Sequence, residues 1–189
     1  MLLALSVLAC AAIWWRALAW LPSLPERYPI HFNARGEPDG WSTSRAAWFL
    51  LPAIATVLLV GNLLLGRMLA GLARTAPGLM NIPRKELFVR LSARGREAVL
   101  GPTLAFLGFV LLLVELLFLF ILEGTGRVAA SGARMLPPWP VFVFLGLVFA
   151  TLPAFLIATI RAVDREAAAE KLVGGVPGGV SGGGAPPAR

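Results

Sequence analysis

A chain of 189 residues with one cysteine and one histidine has little of the usual chemical equipment. The lone Cys10 excludes an internal disulfide framework and a thiolate metal cluster. The lone His31 excludes a His-Glu-x-x-His zinc signature, and no serine or cysteine is placed beside it as a nucleophile. Charge is scarce as well: only 14% of residues are Asp, Glu, Lys or Arg. Between the apolar stretches no segment remains that could bury a soluble core of its own. Val7-Leu8-Ala9-Cys10 has the outline of a lipoprotein cleavage site. No positive residue precedes it, however, and the apolar run continues to Leu21, so a membrane helix is expected here and not a signal peptide. No internal repeat is evident.

Apolar residues are what the chain has in excess. They make up 58% of it, against about 45–50% in soluble proteins, and mean hydropathy is +0.78. A bilayer core asks for about 20 apolar residues per helix. Residues 2–21, 46–69, 100–122 and 139–160 each meet that demand. The expected fold is an all-α membrane protein, a four-helix up-down-up-down bundle with a short extended outer loop and a basic amphipathic inner segment. Residues 1–171 form the membrane domain, and 172–189, rich in Gly and Pro, are expected to be a disordered tail.

The net charge of +7 lies mostly beside the apolar spans, a placement that argues for membrane insertion and against nucleic acid. Segment 67–97 carries seven Lys/Arg, the loop between helices 1 and 2 three, and that between helices 3 and 4 two. The positive-inside rule then puts 67–97 and both termini in the cytoplasm. All six tryptophans lie at helix ends that this topology places outside.

In the outer loop, Tyr28–Asn33 reads as extended, with Ile30 and Phe32 on one face and His31 and Asn33 on the other. Asn33–Gly36 and Glu37–Gly40 read as successive turns. Ser42, Thr43 or Ser44 can cap helix 2. Pro52 and Pro153 are expected to kink their helices, while Pro102 sits harmlessly in a first turn. Leu87, Phe88 and Leu91 form an apolar stripe on a basic segment suited to the inner leaflet, the alternative being a solvated linker.

The run from Leu21 to Arg45 resembles the bacterial domain-of-unknown-function 1648 family, the N-terminal membrane domain of SdpI-like proteins. That family has L-P-x-x-I-P-x-H-[FW]-N-x-x-G-x-x-D after its first membrane helix, and Pro29, His31, Phe32, Asn33, Gly36 and Asp39 match. Asn81–Phe88 is similar to its N-x-P-x-K-x-x-[WF] segment. The resemblance implies a bacterial inner-membrane protein. Its best-understood members are immunity proteins against a peptide toxin that also hold a repressor at the membrane.

Two groups of residues stand out. His31, Asn33, Glu37 and Asp39 cluster in the outer loop; a metal site there would need Glu26 or another chain to complete it, and the residues otherwise serve either to brace the loop or to bind a ligand or partner. Glu115 lies mid-helix on a stripe with Gly101, Ala105, Gly108 and Leu112, where another helix can approach. Arg16 lies at a matching depth in helix 1, so an Arg16–Glu115 ion pair is expected. The rival arrangement has Arg16 reaching to the outer headgroups while Glu115 stays protonated. Asn62 is expected to make a helix–helix hydrogen bond.

The expected function is non-enzymatic: a sensor, immunity-like or accessory protein binding a peptide or protein partner through loop 22–45. No cofactor is implied, and a homo-oligomer is allowed. The alternative is a small oligomeric transporter or channel-like unit using Arg16 and Glu115.

Overall fold

The computed structural model describes residues 1–132 and 134–172. The expected tail at 173–189 lies outside the described residues. Four long helices carry the fold: α1 (Leu2–Trp20), α2 (Leu50–Thr75), α5 (Gly101–Ser131) and α6 (Trp139–Ala169). All four are long and apolar enough to cross a bilayer. Between α1 and α2 lies a hairpin of β1 (Tyr28–Phe32) and β2 (Pro38–Ser42). Two short helices, α3 (Lys85–Arg90) and α4 (Ala93–Val99), stand between α2 and α5. The chain is a multi-pass membrane helical bundle.

The first, second and fifth helices pack against one another, and α6 lies outside them against α5. Helices α1 and α5 run the same way. Leu2 packs on Gly108 near the start of α1, and Trp20 packs on Gly126 near its end. Small residues on α5 permit this approach, as the stripe through Gly108 suggests. Asn62 donates from its Nδ2 to the Leu107 carbonyl at 3.2 Å, tying α2 to α5.

Two buried apolar clusters lie at the two ends. At the hairpin end, Ile13, Ala17, Tyr28, Trp48, Ala55 and Leu122 come together. At the other, Phe88, Leu91, Val99, Leu100 and Val163 do so. Phe88 and Leu91 are therefore buried against the protein's own helices. The basic segment is two helices broken at Leu91–Ser92, not a single helix resting its apolar stripe on lipid, because α6 runs on far enough to cover that stripe.

Three other expectations change. Residues 45–49 form a 3₁₀ turn, so the α2 helix begins at Leu50. Pro52 then falls in its first turn, where a missing N–H costs little, and no kink is needed there. No serine or threonine side chain caps either element; the Ser44 N–H donates to Ser42 Oγ instead. Both α5 and α6 run nine residues beyond their apolar stretches, since polarity ends a membrane span without ending a helix. Gly132, at φ 69°, terminates α5 with a left-handed cap.

Candidate functional site at the hairpin end

The hairpin departs from strict alternation. Cα pairs run Tyr28↔Ser42, Pro29↔Trp41, His31↔Gly40 and Phe32↔Pro38, with register shifts on both sides of His31. Tyr28 and Pro29 are both buried, while Ile30 is about half exposed. The bulge breaks the expected two-residue period. Glu37–Gly40 is not a second turn, because Pro38 opens β2. Gly40 is required opposite His31, where an added Cβ would stand 2.8 Å from the His31 Cβ.

The four loop residues expected to matter form two side-chain pairs. His31 Nδ1 donates to Asp39 Oδ1 at 2.5 Å across the strands; the carboxylate only accepts, which fixes the hydrogen on Nδ1. Asn33 organises the turn. Its Oδ1 accepts from the N–H groups of Arg35 (2.8 Å) and Glu37 (3.1 Å), and its Nδ2 donates to Glu37 Oε2 at 2.9 Å. Asn33 is thus a bracing residue, while His31 and Asp39 leave backbone work to others and stay exposed.

Two anchors hold the hairpin to the helices. Tyr28, fully buried, donates its phenol to the Ser44 carbonyl at 2.5 Å and meets the Trp48 ring edge-on. Burial pushes that phenol above its ordinary value, so it remains a donor. At the tip, the Gly36 carbonyl accepts from the Leu136 N–H at 2.7 Å, joining the hairpin to the α5–α6 connection. Gly36 sits at φ 81°, and Leu136 leaves no room for a side chain there.

Between hairpin and helices lies a cavity of about 420 Å³. Phe120 and Ile121 of α5, Val141 and Phe142 of α6, and Ile30 and Phe32 of the hairpin give it apolar walls. His31 and Asn33 also line it. Such a space suits an apolar group carrying a polar end. Among the described residues no three His, Cys, Asp or Glu side chains gather to hold a metal.

Arg16 does not meet Glu115. Its Nη2 lies 2.8 Å from Glu123 Oε2, and its Nε donates to the same oxygen at 2.9 Å. Trp20 Nε1 adds a third bond at 3.0 Å, and Arg127 approaches Glu123 Oε1 at 3.2 Å. Glu123 stands eight residues, about 12 Å, further along α5 than Glu115. The parallel course of α1 and α5 brings Arg16 level with Glu123, and the long guanidinium also lies near the Trp15 and Trp20 rings. Glu123 was hidden in the sequence because the apolar stretch stops at Leu122. The signal that could have revealed it is the Glu123–Arg127 spacing of four, which is a helical ion-pair spacing.

Comparison with known proteins bears on this end of the molecule. Residues 8–56 match the model of a family described as "Domain of unknown function (DUF1648)". The match contains Arg16, Trp20, the whole hairpin and the start of α2, and leaves out Glu115, Glu123 and residues 81–88. An uncharacterised protein of Archaeoglobus fulgidus is 34% identical over 82 residues. That similarity covers 43% of this chain and 44% of the archaeal protein, so it spans less than half of either. No solved structure matches the chain.

Proposed function

We propose that this protein is a non-enzymatic binding protein of the cytoplasmic membrane, with the hairpin outward, α3 and α4 inward, and its ligand taken at the outer face. The observation that carries the reading is the cavity of about 420 Å³ roofed by the hairpin, with apolar walls and His31 and Asn33 in its lining. The occupant that fits is an extended apolar peptide segment, its side chains against Phe120 and Phe142 and a backbone polar group toward His31. The immunity-like or sensing role implied by the family resemblance is the finer form of this reading. The oligomeric transporter alternative is weaker, since its Arg16–Glu115 pair is parted.

A photo-crosslinking residue at Phe142 in living cells tests the proposal. A discrete peptide or protein adduct is expected at Phe142, and it should be lost in the double variant His31→Gln/Asp39→Asn while membrane abundance and Tm stay unchanged. Asn33 is left intact because it holds the turn. Adducts only to lipid, or abundance falling with the adduct, would refute a binding role for the hairpin.

A further inference from the structure

Residues 2–20, 50–66, 101–122 and 139–160 hold two charged side chains between them, Arg16 and Glu115. Arg16 is taken by Glu123, which leaves Glu115 with no cation. Glu115 is fully buried, and neither of its oxygens has a hydrogen-bond partner among the described residues. Ser6 of α1 faces it, equally buried, its hydroxyl also unpartnered. The parallel packing that sets Leu2 on Gly108 and Arg16 against Glu123 also brings Ser6 to within one helical turn of Glu115.

Ser6 further lines a cavity of about 690 Å³ among α1, α2 and α5. Asn62 and Gly66 line it too, and it reaches Arg67 toward the α3–α4 end. Arg67 is the charged side chain that α2 presents to this space. Along α1 and α5 the other charges are the Met1 amino group, which also lines this cavity, and Arg16, Glu123 and Arg127, which pair with one another, and 139–160 of α6 carries none. An ionised carboxylate enclosed with one hydroxyl and no cation is costly, whereas a carboxylic acid both donates and accepts, as a serine hydroxyl does.

We propose that Glu115 and Ser6 form a proton-binding site at mid-membrane, a carboxylic acid that closes a hydrogen bond to the facing hydroxyl when the proton is bound, which protons reach through the cavity beside α1. Release of the proton leaves a carboxylate between α1 and α5 that has the Ser6 hydroxyl as its donor until water enters. Proton occupancy is thereby coupled to the packing of these two helices. The site stands independently of any ligand at the hairpin.

Wild-type protein in lipid nanodiscs is examined by infrared spectroscopy at neutral pH and treated with carbodiimides. The band of a protonated carboxyl should be present, lost in Glu115→Gln, and shifted in Ser6→Ala by loss of the hydrogen bond. Dicyclohexylcarbodiimide should modify Glu115 and spare Glu123. The acid O–H adds across one C=N bond, and an acyl shift to nitrogen gives the N-acylurea with no leaving group. Ala105→Phe, which fills the cavity, should slow modification by a water-soluble carbodiimide about tenfold. Carboxylate bands alone, or an adduct on Glu123 in place of Glu115, would overturn the proton site. An unchanged rate in Ala105→Phe would overturn the route. If Glu115→Gln does not accumulate, wild type and Ser6→Ala decide the matter.

Discussion

Arg16 brings a guanidinium into an apolar helix, and it is tolerated because Glu123 and two indole rings surround it. Removing the carboxylate strands that charge. Glu123→Ala is expected to cost about 1–3 kcal/mol, measured as a drop in Tm in detergent, whereas Arg127→Ala, on the exposed side, changes little. Gly126 is the second sensitive position. A Cβ there would stand 2.6 Å from the Trp20 ring, so Gly126→Ala pushes the indole off Glu123, at about 1–3 kcal/mol of overpacking. Its signature is a shift in tryptophan emission together with the lower Tm. At this scale the sequence spoke partially. Arg16 and Glu115 stood out, since charge within apolar stretches is easily noticed. Their pairing was misjudged because equal depth was counted from expected helix ends, and α5 runs nine residues past Leu122.

Two-stranded hairpins are marginal alone in water, so this one depends on its anchors. Gly36→Ala forces a left-handed residue to carry a side chain against Leu136, at about 1–2 kcal/mol. The Leu136 amide should then lose hydrogen-exchange protection while α1 and α2 keep theirs. The other end has a clasp of its own. Glu170 accepts from the Ser92 hydroxyl at 2.6 Å and the Ser92 N–H at 2.8 Å, while Ser92 Oγ caps α4 through the Gly95 N–H. These bonds, with Arg96 nearby, hold the Glu170 carboxyl below its ordinary value. A carboxyl depressed by folding stabilises above its unfolded value, and that contribution disappears as pH falls through the folded one. The Ser92 and Gly95 amides should therefore exchange faster only at acid pH below the usual carboxylate range, and Glu170→Gln should remove the dependence. The hairpin's residues were legible as extended chain and turn, but not as a ladder. The bulging around His31 and the joint burial of Tyr28 and Pro29 are features that no two-residue period reveals.

Four apolar stretches and their count of basic residues were enough to give the molecule's architecture and expected orientation. That orientation has a direct check. In a Cys10→Ala background, Ala34→Cys should react with an impermeant maleimide on intact cells, and Arg94→Cys only after permeabilisation. What the pattern of spans could not supply was neighbour order: α6 sits outside on α5, and the contact that matters most joins residues 107 apart.

That separation has a consequence for biogenesis. Chains emerge from the ribosome at about 5–20 residues per second. The first helix therefore waits on the order of 5–20 seconds in the bilayer before the carboxylate that balances its guanidinium has been made. During that interval the neighbouring indoles are its company. Anything that delays synthesis between the second and third spans prolongs a half-built state with an uncompensated charge, the form a membrane quality-control protease is best placed to notice.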